Sequence, residues 1–188
     1  MNVRPNPRYP RIARALRGDT GLVGPWTGEV FRATAPEWAT AEHLLSGLGG
    51  IVAAGRWNAA GAFPVIYTSL TPEGALAEAL ARARHRGIAD LSAMPLVVSA
   101  LRVRLAAVLD LRTDEAADAL GVSPDALARE DWRTATVGGR ESLSQAVGRA
   151  AHAADLEGLI VPGVTAANLL VLPDHISRAS SLRIVRHR

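Results

Sequence analysis

Predicted helices and strands alternate irregularly along this chain, and their order restricts the possible folds more than any other feature. Short runs of β-branched and apolar residues predict strands, but the regular strand–helix–strand rhythm of a doubly wound parallel sheet is missing. The sequence therefore predicts a single α+β domain with a mixed sheet. The predicted strands are 28–34, 64–69, 96–105, 108–111, 158–161, 168–172 and 182–185, and the predicted helices are 37–48, 71–87, 114–120, 124–129 and 141–154.

The first 24 residues differ from the rest in charge. The segment 1–17 contains five arginines, and no apolar stretch in it is long enough for a secretory signal peptide. We expect residues 1–24 to form a basic N-terminal arm and residues 25–188 to form the folded domain, a common length for one domain. No window approaches the ~20 apolar residues of a membrane span, so the sequence predicts a soluble protein without a membrane partner.

The sequence lacks the motifs of common metal and phosphate sites. It contains no cysteine, which excludes disulfides and thiolate zinc sites and suits a cytoplasmic protein. The five histidines share no metal-binding spacing, so we expect no metal. Arg56 and Trp57 follow Gly55, whereas a phosphate-binding loop needs a lysine and then a hydroxyl residue at these positions.

Residues 114–131 have the pattern of a helix-turn-helix. The second helix would enter the DNA major groove, yet it carries Asp125, Glu130 and Asp131 against the single Arg129. DNA phosphates repel acidic side chains, and phosphate contacts supply much of the affinity for DNA. The net charge is only +3, and the pI of 10.4 is high because the chain contains no lysine. A plain helical hairpin is favoured, and a DNA-binding module is the least favoured hypothesis.

Four polar residues lie where a folded core would favour apolar side chains. Arg32 lies in a predicted strand, Tyr67 lies in the middle of the next strand, and Arg56 lies in the loop between them. Glu78 lies in the middle of a predicted helix, on the face opposite its leucines. Each has a structural alternative, since Glu78, for example, could pair with Arg82 at i+4 on a wet surface. Their combination and order favour a chemical site.

Successive blocks of the chain resemble those of RES domains, and the resemblance covers nearly everything after about residue 25. It implies a fold similar to ADP-ribosyltransferases and a bacterial toxin that degrades NAD or transfers ADP-ribose. It also places the helix-turn-helix pattern inside the domain. The blocks are Gly28-Glu29-Val30-Phe31-Arg32, Gly55-Arg56-Trp57-Asn58-x-x-Gly61, Val65-Ile66-Tyr67-Thr68-Ser69, Ala75-Leu76-Ala77-Glu78, Leu109-Asp110-Leu111, Gln145-Ala146-Val147-Gly148, Glu157-Gly158-Leu159-Ile160-Val161-Pro162 and Asn168-Leu169-Leu170-Val171-Leu172-Pro173.

The resemblance also implies roles for individual residues. Arg32 and Arg56 would bind the phosphates of NAD, Tyr67 would form an aromatic wall for the nicotinamide, and Glu78 would be the catalytic carboxylate. NAD would be a substrate rather than a prosthetic group, inorganic phosphate is a candidate co-substrate, and a small helix-turn-helix antitoxin is the implied partner. The implied catalytic residues are Arg32, Tyr67 and Glu78, and the implied substrate-binding residues are Arg32, Arg56, Trp57, Asn58 and Tyr67.

The chain departs from the RES pattern at one position. Gly163 follows Val161-Pro162, where the resemblance implies a serine. Thr165 is a candidate to supply the missing hydroxyl group. A second hypothesis is therefore a catalytically weakened RES domain that binds a nucleotide or a partner protein without turnover.

Overall fold

The strands of the protein form one mixed sheet in the computed structural model, which describes residues 3–18 and 21–187. The strand order is β1-β2-β5-β4-β3-β6, and β1 also pairs with β3, so the first five strands close into a ring. Among the six strands of the described ranges, β3 and β4 form the one parallel pair, which confirms the predicted mixed sheet. The strands are β1 Val23–Thr34, β2 Ile66–Ser69, β3 Val97–Asp110, β4 Gly158–Val161, β5 Asn168–Val171 and β6 Ser181–His187.

Most predicted helices are present, but the one predicted at residues 37–48 is wrong. That segment forms a 3-10 turn and two short helices, because Gly47 adopts a φ of +67° between them. A Cβ at Gly47 would lie 2.9 Å from the backbone nitrogen of Val65, so only glycine fits there. The helices are α1 Tyr9–Arg17, α2 Ala41–Leu45, α3 Leu48–Val52, α4 Pro72–His85, α5 Asp114–Leu120, α6 Pro124–Arg129, α7 Trp132–Val137 and α8 Leu143–His152, and 3-10 turns lie at Pro36–Trp38, Asp90–Ala93 and Pro173–His175.

The first helix, α1, packs into the domain rather than extending from it. Ile12, Ala13 and Leu16 are buried against the core, and α1 contacts α8. The guanidinium of Arg149 on α8 lies 3.3 Å from the centre of the Tyr9 ring. Part of the segment expected as a basic arm is thus an ordered helix, while residues 1, 2, 19 and 20 lie outside the described part of the chain.

The core lies on both faces of the sheet. Neighbouring residues of one strand belong to different apolar clusters, as do Leu159 and Ile160 of β4, because successive strand side chains point to opposite faces. Helices α1, α5 and α8 cover the first face. No helix in the described ranges is long and apolar enough to cross a membrane.

Helix α4 is held against the sheet at its first turn. The Thr71 side chain accepts a hydrogen bond from the Gly74 backbone nitrogen, and Pro72 occupies the first helical position, as the sequence predicts. A Cβ at Gly74 would lie 2.2 Å from Ser69 Oγ, so glycine lets the helix approach the end of β2 closely. This contact positions the middle of α4 beside β1 and β2.

Candidate active site

A cleft opens where β1, β2 and α4 meet. In the sheet register, Phe31 of β1 and Asn168 of β5 both pair with Ser69 of β2, so three strands contribute to this region. Three of the residues expected at the site, on three different elements, line the cleft together. The polar residues that line it are Arg32, Tyr67, Thr68, Ser69, Glu78, Arg82 and Asn168.

Arg32 joins the cleft to helix α2. Its Nη1 donates to the carbonyl oxygens of His43 at 3.1 Å and Leu44 at 2.9 Å. Burial, together with the positive charge of Arg82, lowers the pKa of Arg32 to about 10. Arg32 is therefore still a cation at neutral pH, and its Nε and Nη2 make no protein hydrogen bond in the described part of the chain.

Glu78 is held at one oxygen and open at the other. Its Oε1 accepts hydrogen bonds from the Val164 backbone nitrogen at 2.9 Å and from Asn168 Nδ2 at 2.7 Å. Within residues 3–18 and 21–187, Oε2 has no hydrogen-bond partner, and Glu78 forms no ion pair with Arg82. The carboxylate is thus fixed in orientation while one oxygen remains available in the cleft.

Tyr67 lines the cleft, and its hydroxyl bonds to the loop that precedes β2. The hydroxyl donates to Asn58 Oδ1 at 2.7 Å and accepts from the Trp57 backbone nitrogen at 3.2 Å. Burial raises the pKa of Tyr67 above its usual range, so the phenol stays protonated at physiological pH. Tyr67 can therefore contribute an aromatic surface but not a proton-accepting phenolate.

Trp57 and Asn58 support the loop and do not line the cleft. Trp57 is 4% exposed and Asn58 is fully buried. Asn58 Nδ2 donates to the Gly50 carbonyl, and Gln145 of α8 donates to the Gly55 carbonyl at 3.1 Å. Direct contact of Trp57 and Asn58 with substrate stays a prediction, and these contacts favour an indirect role through Tyr67.

Arg56 lies near the other arginines without lining the cleft. Its Nη1 donates to the carbonyl oxygen of Leu127 at 2.7 Å, which ties the loop to the end of α6. Its positive charge contributes to lowering the pKa of Arg133, as does that of Arg82, and burial is the main cause. Arg56 and Arg82 therefore each lie close enough to repel Arg133.

Three further polar residues lie in or near the cleft that the sequence does not predict at the site, namely Arg82, Arg133 and Asn168. Arg82 follows Glu78 by one helical turn on α4, a spacing that places both on one face. Asn168 begins β5 and reaches Glu78 across 90 residues of sequence. Arg133 lies on α7, an element that the sequence does not predict.

Gly163 has no room for a side chain. A Cβ there would lie 2.2 Å from the Ala166 carbonyl oxygen and 2.7 Å from Asn168 Nδ2. The tight loop that this glycine permits brings the Val164 backbone nitrogen to Glu78. Thr165 is exposed and does not line the cleft.

The helix-turn-helix pattern is part of the domain. Its helices are α5 and α6, and Leu127 of α6 is buried in the core. Arg129, the cation of the second helix, is ion-paired with Asp125 at 2.5 Å. A helical hairpin of this kind presents little positive charge to DNA.

Among the described residues, no group of three histidine or acidic side chains could hold a metal ion. The donors around the cleft are instead guanidinium, amide and backbone N–H groups. Such groups bind anionic oxygen atoms, which occur in phosphates and carboxylates.

Known proteins resemble this chain in sequence and in fold. The family model of the RES domain matches residues 29–188. The NAD(+) phosphorylases MbcT of Mycobacterium tuberculosis and Mycobacterium bovis are each 30% identical over 151 residues, covering 78% of this chain and 73% of the relative. The crystal structure of the M. tuberculosis MbcT–MbcA toxin–antitoxin complex matches with a TM-score of 0.72 at 25% identity, over 94% of this chain and 90% of that chain. This chain belongs to the RES domain family.

Proposed function

We propose that this protein is a toxin-type enzyme that cleaves NAD between nicotinamide and ribose and transfers the ADP-ribosyl group to inorganic phosphate. The observation that carries the proposal is the carboxylate of Glu78, which is fixed through Oε1 and open at Oε2 beside Arg32 and Tyr67. Relatives at 30% identity that are named NAD(+) phosphorylases support it.

The reaction needs a carboxylate because of the charge that develops. When the bond between ribose C1′ and the nicotinamide nitrogen breaks, both electrons stay on the nitrogen, and neutral nicotinamide leaves. Positive charge then develops on the ribose, as in glycoside hydrolysis, and a nearby carboxylate stabilises it. Glu78 Oε2 is the open carboxylate oxygen of the cleft and is the group proposed for this role.

Phosphate suits the site better than water as the acceptor. An anionic phosphate oxygen can form the new bond to C1′ without first losing a proton, and the product is ADP-ribose 1-phosphate. Water would have to lose a proton, and the buried phenol of Tyr67 stays protonated and cannot accept it. The proton would have to go to Glu78, the same carboxylate that is proposed to stabilise the ribose cation. The arginines near the cleft also favour a phosphate dianion over water.

The arginines would hold the substrate by its diphosphate. A guanidinium matches phosphate oxygens with a planar fork of donors, and Arg32 retains free Nε and Nη2 groups at the cleft. Arg56 would contribute from the loop that precedes β2, which its Nη1 ties to the end of α6. The Tyr67 ring would then lie against the nicotinamide, which places the scissile bond near Glu78.

The fold and the partner form part of the same proposal. A bond-breaking carboxylate beside NAD-binding arginines is the arrangement expected of a fold similar to ADP-ribosyltransferases. The matched solved structure is a toxin–antitoxin complex, which supports an antitoxin partner, and we propose a small helix-turn-helix protein. A cytoplasmic location fits, because NAD and phosphate are both present there.

The direct test is to incubate the purified protein with NAD, with and without inorganic phosphate, and to follow free nicotinamide. We expect release that rises with phosphate and the appearance of ADP-ribose 1-phosphate. Release without phosphate, giving ADP-ribose, would support hydrolysis instead. No release in either condition from a folded protein would contradict the proposal and favour a binding domain.

A further inference from the structure

The candidate active site contains more positive charge than its one carboxylate can balance. Arg32 and Arg82 line the cleft with Glu78. Arg56 and Arg133 lie close enough to these groups that their charges act on one another, and Glu78 acts on Arg133. Asp131 and Glu78 are the acidic groups that act on Arg133, so the four arginines outnumber the acidic groups, which favours the binding of a multiply charged anion.

None of these four guanidinium groups forms an ion pair in the described ranges. Arg32 and Arg56 each donate to backbone carbonyl oxygens, whereas the guanidinium groups of Arg82 and Arg133 donate no hydrogen bond there. Arg82 and Arg133 make no salt bridge to any acidic side chain in the described ranges. Nearby arginines differ, because Arg84 is paired with Asp90 at 2.5 Å and Arg129 with Asp125 at 2.5 Å. The charges of Arg82 and Arg133 are thus available to a ligand.

Arg133 is held in place although its guanidinium donates no hydrogen bond in the described part of the chain. Its guanidinium lies 4.4 Å from the centre of the Trp132 ring, a contact that occupies the face of the group and leaves its N–H edges open. Helix α7 is itself fixed, because Asp131 caps its start and Gln145 donates to Thr136 Oγ1 at 3.2 Å. Arg133 is therefore a preorganised donor, which lowers the entropic cost of binding.

We propose that Arg82 and Arg133 bind a phosphate group beside Glu78, an inference that rests on the proposed function and assigns its phosphate site. Inorganic phosphate and the diphosphate of NAD both present such an anionic phosphate group. Arg82 lies one helical turn from Glu78, so a phosphate bound there is adjacent to the carbon on which positive charge develops. In this arrangement Arg32 and Arg56 bind the diphosphate of NAD.

The test compares Arg82→Gln and Arg133→Gln with the matched control Arg84→Gln. Arg84 lies on the same helix and its charge is already neutralised by Asp90. The first measurement is calorimetric binding of inorganic phosphate alone, without NAD. We expect each of the first two variants to bind about tenfold more weakly, the effect of losing one charge-assisted contact, and we expect the control to bind as the original protein does.

The second measurement separates the two sources of the phosphate group. If the acceptor binds here, the KM for phosphate rises about tenfold and the KM for NAD stays within about twofold. A rise in the KM for NAD alone would support binding of the diphosphate instead. Unchanged phosphate binding and unchanged KM values in both variants, or an equal loss in Arg84→Gln, would overturn the inference.

The two proposals can fail separately. If phosphate binding depends on Arg82 and Arg133 but the protein releases no nicotinamide, the phosphate site is supported and NAD cleavage is contradicted. If phosphate stimulates nicotinamide release and neither substitution changes this, the proposed enzymatic function is supported and the phosphate site is contradicted. Arg133→Lys provides a further check, because it keeps the charge and should retain most phosphate binding.

Discussion

Asn168 Nδ2 donates a 2.7 Å hydrogen bond to Glu78 Oε1, although 90 residues separate the two in sequence. Asn168 begins β5, and Glu78 lies in the middle of α4. The bond therefore joins the sheet to the helix that carries the proposed catalytic carboxylate. Together with the Val164 backbone nitrogen, it directs the open Oε2 into the cleft.

Glu78→Gln should abolish NAD cleavage without unfolding the protein. The amide can still occupy the same space and accept a hydrogen bond at its oxygen, but it no longer carries the charge that stabilises the ribose cation. We expect nicotinamide release to fall by about 10²–10³-fold with a nearly unchanged melting temperature. Glu73→Gln, an exposed position of the same helix, is the control and should retain activity; activity in Glu78→Gln equal to that control would contradict the assignment.

Asn168→Ala should lower kcat more than it raises the KM for NAD. Removing the amide leaves Glu78 with a single donor, so the carboxylate is less well oriented while the phosphate-binding arginines are untouched. A loss of about tenfold in kcat is expected, of the order that one positioning hydrogen bond provides. Steady-state kinetics check this, and an equal change in kcat and KM would argue for a general loss of structure.

The residues that the sequence predicts at the site are those whose position depends on local pattern. Arg32 and Tyr67 lie on predicted strands, and Glu78 lies on a helix with clear end signals at Thr71 and Pro72. All three line one cleft. Local pattern and family resemblance are sufficient here because strand and helix periodicity fix which face a side chain occupies.

The features that the sequence does not predict depend on contacts between distant residues. Helix α7 contains Thr134, Thr136 and Val137, which are weak helix formers, and its cap and tertiary contacts hold it in place. Arg133 is missed for that reason. The break at Gly47 follows from its approach to Val65, which adjacent residues do not reveal.

Gly163→Ser should damage the site rather than restore a family residue. The added side chain would overlap the Ala166 carbonyl and press on Asn168 Nδ2, so the loop must move and Glu78 would lose donors. Overpacking of this kind costs about 1–3 kcal/mol, and we expect a lower melting temperature together with slower nicotinamide release. The matched control is Gly49→Ser, because a Cβ at Gly49 meets no atom within 4 Å. Faster release in Gly163→Ser would instead support the hypothesis of a catalytically weakened domain.

Tyr67→Phe should distinguish the contribution of the Tyr67 ring from the contribution of its hydroxyl group. The substitution keeps the ring in the cleft but leaves Asn58 Oδ1 and the Trp57 backbone nitrogen without their partner. Leaving buried polar groups unpaired costs about 1–3 kcal/mol, so the free energy of unfolding should fall by this amount at neutral pH. NAD cleavage should be largely retained in Tyr67→Phe and lost in Tyr67→Ala, which removes the ring itself.

The stability difference between the original protein and Tyr67→Phe should also depend on pH in a defined direction. Burial raises the pKa of Tyr67 in the folded state, whereas the unfolded chain ionises near pH 10. Above that pH the unfolded state binds fewer protons than the folded state, so this tyrosine lowers stability by about 1.4 kcal/mol per pH unit. Phenylalanine does not ionise, so the advantage of the original protein should be constant below pH ~9 and shrink above pH ~10. Chemical denaturation of both proteins across this range measures the difference. An advantage that stays constant above pH ~10 would show that the pKa of Tyr67 is not raised by folding, and one that grows with pH would show that folding lowers it.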